Sequence, residues 1–516
     1  MAKLIKLVVF CFLAMPLLAQ GSEPVQYRYL VPLPGTKNIG IADWDYSLEL
    51  VSRNSEVFTL ELQQYDIRGR LLDQIDLGLR NGEEVFRWNV TENAANGRLR
   101  SIVVLSDKPL IGSFWMWNEN YGQINGVRLA ENLSAELVLP FIPQSYFEMT
   151  TSFALQGFSP NGEASEVSFY LVDSDEQARA PLTLRSSLSS NGYIIGTPEL
   201  TISLGGLDGE VIPSWANIAP MSPQYLVSGF QTFTREDGSK AFLFQSAASE
   251  LTDVGSSEGH LIFTQESDIP LRHEIVLTNP NLAPVSIDLE VFYHEFEPLI
   301  DKVMLKSTTE TIQLKALERR RMILGSDIFL DVQNPVFRMA YRAAYTIDET
   351  IPAEIFGLHF QLGPDGEMSC GSFLKEGTQV RTWLTREDHA ETSIELVNVG
   401  RQYLEYPDVE IIDGEEVPVG DPYLVSQDTF LNAKFVTEDG RFHFVQLQFE
   451  AGEFFPVISI DKISSFFGGD SLNAVQVIFE ATDGSPILAK LTKRAGNDFA
   501  VINPYVTTPV VEVVEE

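Results

Sequence analysis

A short aromatic run is the feature of this chain best suited to binding chemistry. The residues Phe114-Trp115-Met116-Trp117 have the character of a β-strand, and Tyr121 follows after a polar turn. Side chains alternate along a strand, so Trp115 and Trp117 share one face at a spacing of about 7 Å. If Phe114 faces the core, the two indoles are exposed and can stack on sugar rings. The alternative is that they pack beneath a neighbouring unit or within the core.

Acidic turns offer a second kind of site. Asp173, Asp175 and Glu176 stand close together after a predicted strand, and residues 413–416 repeat the pattern. Several carboxylate oxygens on one tight turn suit a hard cation, so calcium is the ion these turns could hold. Neither turn has the spacing of an EF-hand. Acidic turns also commonly end an exposed strand, and that alternative stays open.

The sequence predicts no catalytic site. It contains no Gly-x-Ser-x-Gly elbow, no His-Glu-x-x-His and no glycine-rich phosphate loop. The six histidines are dispersed without a repeated ligand spacing. Cys370 is the only thiol after a predicted leader, and no histidine partner is suggested for it. A pair of carboxylates for glycoside hydrolysis could still be drawn from the 72 acidic residues.

The first 21 residues have the pattern of a secretory signal peptide. Lys3 and Lys6 precede an apolar stretch, residues 7–18, and Ala19-Gln20-Gly21 supplies the small residues of a cleavage site. The stretch is too short to span a bilayer comfortably. We therefore expect a periplasmic or extracellular protein with no integral membrane segment after cleavage. With Cys370 alone in the mature chain, no internal disulfide is expected.

The net charge of the chain limits the kinds of partner that it can bind. The formal charge is -36 over 516 residues, with acids scattered along the chain and a short acidic tail, 506–516. A polyanion of this kind is repelled by nucleic acid and by anionic membranes. We therefore expect no nucleic acid partner.

The elements that position these residues are strands. Apolar and polar residues alternate with period two, as in Phe58, Leu60 and Leu62, which is typical of a strand with one face in a core. Turn dipeptides such as Asn279-Pro280 and Asp413-Gly414 separate the runs. A short helical turn is predicted over Ile463–Phe467. Many short strands with such turns favour sandwiches or barrels.

One pattern recurs four times: a Pro-containing turn, an apolar strand, a small residue and a bulky residue. Its copies occupy 106–114, 222–230, 350–360 and 485–491, and each follows a predicted hairpin. The repeat length is about that of one small β-sandwich domain. The chain is accordingly predicted to be all-β, a tandem array of about four antiparallel, immunoglobulin-like sandwiches joined in a row. The expected units are 22–132, 133–253, 254–374 and 375–505.

The arrangement resembles the tandem sandwich repeats of uncharacterised secreted bacterial proteins. The first unit fits best, through Tyr29-Leu30-Val31-Pro32, Trp44, Ser106-Asp107-Lys108-Pro109 and Gly112. The later units have no equivalent of Trp44, and Ala489 replaces the glycine in the fourth. The resemblance implies an extracytoplasmic β-sandwich array and no activity.

These observations together predict a non-catalytic structural or adhesion-type protein, monomeric, with a protein or glycan partner at the cell surface. The alternative is a carbohydrate-binding protein or glycoside-acting enzyme that uses Trp115, Trp117 and Tyr121 of the first unit.

Overall fold

The computed structural model describes about two thirds of the chain. The described residues are 26–33, 45–94, 98–118, 123–129, 137–139, 149–172, 182–196, 215–235, 241–245, 258–263, 272–297, 302–327, 337–345, 355–362, 368–372, 377–387, 390–398, 402–405, 408–412, 415–419, 423–426, 429–449, 457–495, 498–502 and 504–507. The predicted signal peptide lies outside them.

Strands β1 to β16 build the first two pairs of sheets, which we name sandwich 1 (β1–β8) and sandwich 2 (β9–β16). Their bounds are β1 Tyr27–Pro32, β2 Asp45–Ser52, β3 Phe58–Tyr65, β4 Leu71–Arg80, β5 Phe86–Asn89, β6 Ser101–Ser106, β7 Leu110–Asn118, β8 Gln123–Arg128, β9 Leu137–Leu139, β10 Met149–Phe158, β11 Ser165–Val172, β12 Leu182–Leu188, β13 Tyr193–Gly196, β14 Trp215–Pro220, β15 Leu226–Arg235 and β16 Ala241–Gln245.

Strands β17 to β37 build sandwich 3 (β17–β24) and sandwich 4 (β25–β37). Their bounds are β17 Glu258–Phe263, β18 Arg272–Thr278, β19 Val285–Glu297, β20 Lys302–Leu314, β21 Arg319–Ile323, β22 Phe337–Tyr345, β23 Phe356–Leu362, β24 Met368–Ser372, β25 Gln379–Thr385, β26 Glu391–Asn398, β27 Gln402–Glu405, β28 Asp408–Ile412, β29 Glu415–Val419, β30 Tyr423–Ser426, β31 Thr429–Thr437, β32 Phe442–Phe449, β33 Ile458–Ser459, β34 Ala474–Ala481, β35 Ile487–Ala495, β36 Asp498–Ile502 and β37 Tyr505–Thr507.

One helical turn interrupts the strands of sandwich 4. Helix α1, Ile460–Ser464, begins after Ser459, whose hydroxyl accepts a hydrogen bond from the Lys462 amide. A 3-10 turn, Ser465–Phe467, continues it and ends at Gly468, which has a φ of 80°. This left-handed conformation favours glycine. The helical turn predicted over Ile463–Phe467 is confirmed.

The four sandwiches share one topology. In sandwich 1 the sheets have the orders β1-β6-β3-β4 and β5-β2-β7-β8. The corresponding strands have the same orders in sandwich 2 (β9-β14-β11-β12 and β13-β10-β15-β16) and in sandwich 3 (β17-β22-β19-β20 and β21-β18-β23-β24). Sandwich 4 keeps both orders, adds β37 beside β25, and carries two small sheets, β27-β30 and β28-β29, as an insertion. We call the first kind of sheet the A sheet and the second kind the B sheet. All the pairings are antiparallel, which confirms the all-β prediction; the exact domain boundaries remain predictions.

The recurring small residue of the sequence has a steric cause. Gly112, Gly229 and Gly357 each lie directly opposite a leucine of the neighbouring strand, and Ala489 takes the same place in sandwich 4. The opposing leucines are Leu50, Leu155, Leu277 and Leu396. A Cβ at Gly112 would stand 2.6 Å from Leu50 Cδ2, and one at Gly229 would stand 2.5 Å from Leu155 Cδ2. The small residue therefore leaves room for the leucine side chain, which packs over the strand that carries the small residue.

The sandwiches do not form an open row. The final strands of the B sheets meet in a cycle: β8 lies against β16 and β36, and β24 lies against the same two strands. Phe230 of sandwich 2 stacks on Phe114 of sandwich 1 at 5.6 Å. Trp215 of sandwich 2 donates its indole N–H to the Leu317 carbonyl of sandwich 3 at 3.1 Å. The first sandwich therefore contacts the last, which a linear row does not provide.

We predict that Gly112→Val destabilises the protein by about 2–3 kcal/mol, because the new side chain overlaps Leu50. Urea unfolding followed by circular dichroism measures the change. Ala489→Gly is the matched control at the equivalent position and should cost about 1 kcal/mol or less. Equal losses in the two variants would contradict the steric explanation.

Candidate functional site between the first and fourth sandwiches

The aromatic run of β7 alternates as the sequence predicts. Phe114 and Met116 belong to the core of sandwich 1. Trp115 and Trp117 point the other way, where they join a cluster with core residues of sandwich 4 such as Leu384. Trp115 is 0% exposed and Trp117 is 7% exposed. The indoles thus pack beneath another sandwich, and the expectation of an exposed stacking surface does not match this structure.

The centre of the site is a buried carboxylate. Glu49 of β2 is 1% exposed. Its Oε2 accepts hydrogen bonds from the indole N–H groups of Trp115 and Trp383, each at 2.7 Å, and from the Ser113 hydroxyl at 3.3 Å. Its Oε1 accepts from the Thr385 hydroxyl at 3.1 Å. Two of these donors come from sandwich 1 and two from β25 of sandwich 4, so the carboxylate joins the two sandwiches.

A buried lysine completes the shell around Glu49. Lys493 of β35 is 0% exposed, and its Nζ lies 3.0 Å from Glu49 Oε1 and 3.0 Å from Glu387 Oε1. The same ammonium lies 4.8 Å from the centre of the Trp115 ring, within the range of a cation–π contact. Arg87 of sandwich 1 reaches Glu387 at 3.4 Å. Two acidic and two basic groups therefore neutralise one another at the interface.

The surroundings keep Glu49 ionised. Burial acts to raise its pKa, but Lys493 and the indole of Trp383 outweigh that effect, and the pKa of Glu49 lies below its ordinary value. A buried ion pair contributes little net stability when intact, because both ions lose their hydration. Removing one partner is costly, since the other charge is then buried alone.

Further contacts between the same two sandwiches surround this cluster. Arg381 of β25 donates to the Ser55 hydroxyl at 2.7 Å, and Lys434 of β31 pairs with Glu83. Arg53 and Arg128 of sandwich 1 lie over the ring of Tyr505, at 4.6 Å and 5.3 Å. The interface therefore extends from β35 across the outer face of the sandwich 4 A sheet.

The other candidate residues lie away from this interface or outside the described part of the chain. Tyr121 lies outside the described residues, and so do Asp173, Asp175 and Glu176, so the calcium hypothesis stays a prediction. Cys370 lies on β24 opposite Phe360. Among the described residues, no group of three or more His, Cys, Asp or Glu side chains could hold a metal ion. No helix in the described part of the chain is long and apolar enough to cross a membrane.

A buried histidine pair escaped the sequence argument. His273 Nδ1 lies 3.0 Å from His359 Nε2, and the two rings stack at 5.2 Å. Burial, reinforced by the charge of Lys490, lowers the pKa of His273 to about 3, and burial also lowers the pKa of His359 well below its ordinary value. Lys490 itself pairs with Glu395 at 3.0 Å.

The signal for the histidine pair lies in the repeat. Measured from the Leu–Gly pair, His273 and His359 occupy the positions of Tyr46 and Phe114 in sandwich 1, which also stack. An alignment of the four repeats would have placed the two histidines side by side.

Comparisons with known proteins do not assign a family. No protein-family model matches the chain, and no curated protein matches it. One solved structure, the tetra-tandem repeat in the extending region of a large adhesion protein, aligns over 94% of this chain and 100% of its own. The identity is 10% and the TM-score 0.09, so this likeness carries no argument about fold or function.

We predict that Glu49→Ala costs about 3–5 kcal/mol, because the buried Lys493 loses one of its two carboxylate partners and the indoles of Trp115 and Trp383 lose their acceptor. Chemical denaturation with tryptophan fluorescence measures the loss, since Trp115 and Trp383 touch the deleted group. A Glu49→Leu/Lys493→Met double variant should recover much of it. Lys108→Ala, which breaks an exposed pair with Glu56, serves as the control and should have no measurable effect. A Glu49→Ala variant as stable as the wild type would contradict the proposed importance of this site.

The histidine pair predicts a loss of stability in mild acid. Unfolded histidines take up protons below a pH of about 6.5, whereas the folded pair resists protonation, so stability falls as the pH decreases from 7 to 5. His273→Tyr/His359→Phe, which copies the residues of sandwich 1, should make stability nearly independent of pH in that window. Urea midpoints at several pH values test this, and an unchanged pH dependence in the double variant would show that other groups cause it.

Proposed function

We propose that this protein is a non-catalytic structural scaffold of adhesion type, secreted or periplasmic, that presents its surfaces to a protein or glycan partner at the cell surface. The observation that carries this proposal is the Glu49 cluster. The most deeply buried charged groups of the interface, Glu49 and Lys493, contact each other and the adjoining sandwich. Their role in this geometry is to hold sandwiches 1 and 4 together.

The signal-like leader and the charge of -36 support the same proposal. A strongly acidic surface keeps a secreted protein soluble and discourages nonspecific contact with anionic cell envelopes. A scaffold needs no catalytic residues of its own, and the repeated packing of a leucine against a glycine or alanine gives each sandwich a regular core.

The carbohydrate-binding alternative finds no support at Trp115 and Trp117, since neither indole face is open to a sugar. A Trp115→Ala/Trp117→Ala variant would also remove the donor to Glu49 and open the interface. Loss of glycan binding in that variant would therefore report interface damage as readily as a missing sugar site.

We predict that the mature chain is compact in solution, with a radius of gyration of about 23 Å, the scale of one globular body of this length. Small-angle X-ray scattering measures it, and Glu49→Ala should increase the value as sandwiches 1 and 4 separate.

The purified protein should also bind saturably to intact cells without releasing reducing ends from polysaccharides. Release of such products would overturn the non-catalytic proposal, and an extended wild type would overturn the closed scaffold.

A further inference from the structure

The edge of the sandwich 4 A sheet is unlike the other sheet edges. Strand β32 pairs only with β31 among the described strands. Its eight residues, Phe-His-Phe-Val-Gln-Leu-Gln-Phe, include no acidic residue, no lysine or arginine and no proline. Charged residues and prolines are the usual devices that keep edge strands from pairing with other chains.

The other edge strands of the described sheets either contain a charged residue or are short. Every other edge strand longer than five residues holds a charged side chain. These are Arg28 in β1, Asp73 and Asp76 in β4, Arg128 in β8, Arg185 in β12, Glu258 in β17 and Glu310 in β20. The absence of such a residue from β32 is therefore a specific feature of this edge.

Exposed phenylalanines lie along the same edge. Phe442 and Phe444 are 61% and 62% exposed on the outer face, and their rings contact each other edge-to-face at 5.5 Å. Phe430 of β31, 45% exposed, adds to the strip. The crossed rings give no coplanar platform for a sugar, so the strip is better suited to protein contact.

The exposed phenylalanines Phe430, Phe442 and Phe444 lie next to the interface between sandwiches 1 and 4. Lys434 Nζ lies 5.9 Å from the ring centres of both Phe442 and Phe444 and also pairs with Glu83 of sandwich 1. The outer face of this A sheet is thus buried against sandwich 1 at β25, whereas Phe442 and Phe444 of β32 are exposed among the described residues. An uncharged edge is also where two copies of a chain with a charge of -36 can approach with least repulsion.

We propose that β32 is the interface of a symmetric homodimer, in which the strand pairs antiparallel with β32 of a second copy. A register centred on Val445 places Phe444 opposite Gln446 of the copy and Phe442 opposite its Gln448, all on the outer face. The two A sheets then form one continuous sheet, and the phenylalanines of both copies share one surface. The pairing is isologous, so it closes at two copies. It differs from the monomer that the sequence predicts, and it does not depend on the adhesion role.

The test is the mass of the mature chain in solution, measured by sedimentation equilibrium from micromolar to submillimolar concentration. The wild type should be dimeric at the upper end and should associate more tightly as salt rises, because salt screens the repulsion between two acidic copies. A wild type that remains monomeric throughout overturns the proposal.

Two matched variants test the strand and the register. Phe444→Glu/Gln446→Glu sets carboxylates opposite carboxylates and should weaken the dimer about a hundredfold. Phe444→Glu/Gln446→Lys sets opposite charges face to face and should remain dimeric. Leu79→Glu changes an equally exposed residue on β4, 74% exposed, and should leave the mass unchanged. All variants should keep the wild-type circular dichroism spectrum.

Each failure has its own meaning. A double-glutamate variant that dimerises like the wild type overturns the proposed strand. A Glu/Lys variant that is monomeric beside a dimeric wild type overturns the register centred on Val445.

Discussion

The contact between Glu49 and Lys493 constrains the whole arrangement. A carboxylate and an ammonium without solvent exposure need groups of opposite charge beside them, and these two residues, 444 positions apart, meet at 3.0 Å. Any packing that separates them deprives Glu49 of its cation and leaves Lys493 with Glu387 alone. The pair therefore selects one relative placement of the first and last sandwiches, even where its net contribution to stability is small.

The same position in the other sandwiches shows that this constraint is specific. Counting from the Leu–Gly pair, Glu49 corresponds to Ala154, Val276 and Glu395. Ala154 and Val276 face Phe230 and Leu358, so no charged group stands at this position in those two sandwiches. Glu395 faces Lys490 within its own sandwich and satisfies its charge locally. Of the four, Glu49 takes its cationic partner, Lys493, from a different sandwich.

Local patterns predicted local structure well. Period-two alternation correctly separated Phe114 and Met116 from Trp115 and Trp117, and the recurring small residue marked the place where a leucine crosses the neighbouring strand. The sequence could not show what covers the indoles, because alternation defines a face but not its occupant. Nor could it pair Glu49 with Lys493, since acids and bases are frequent and no spacing rule connects residues so far apart. His273 and His359 were missed because dispersed histidines were compared with metal-ligand spacings rather than with the equivalent positions of the repeat.

Closure of the four sandwiches also limits how copies of the chain can assemble. Glu49 and Lys493 lie on complementary surfaces at opposite ends of the chain, and in an open row the Glu49 surface of one copy could bind the Lys493 surface of the next. Such head-to-tail contacts build filaments unless the rotation closes. Within one chain the two surfaces are tethered at a high effective concentration, so the internal contact outcompetes the intermolecular one. Once this contact is formed, the edge at β32, which has no charged residue, is the long edge among the described strands that is suited to association, and the proposed two-fold pairing there ends at two copies.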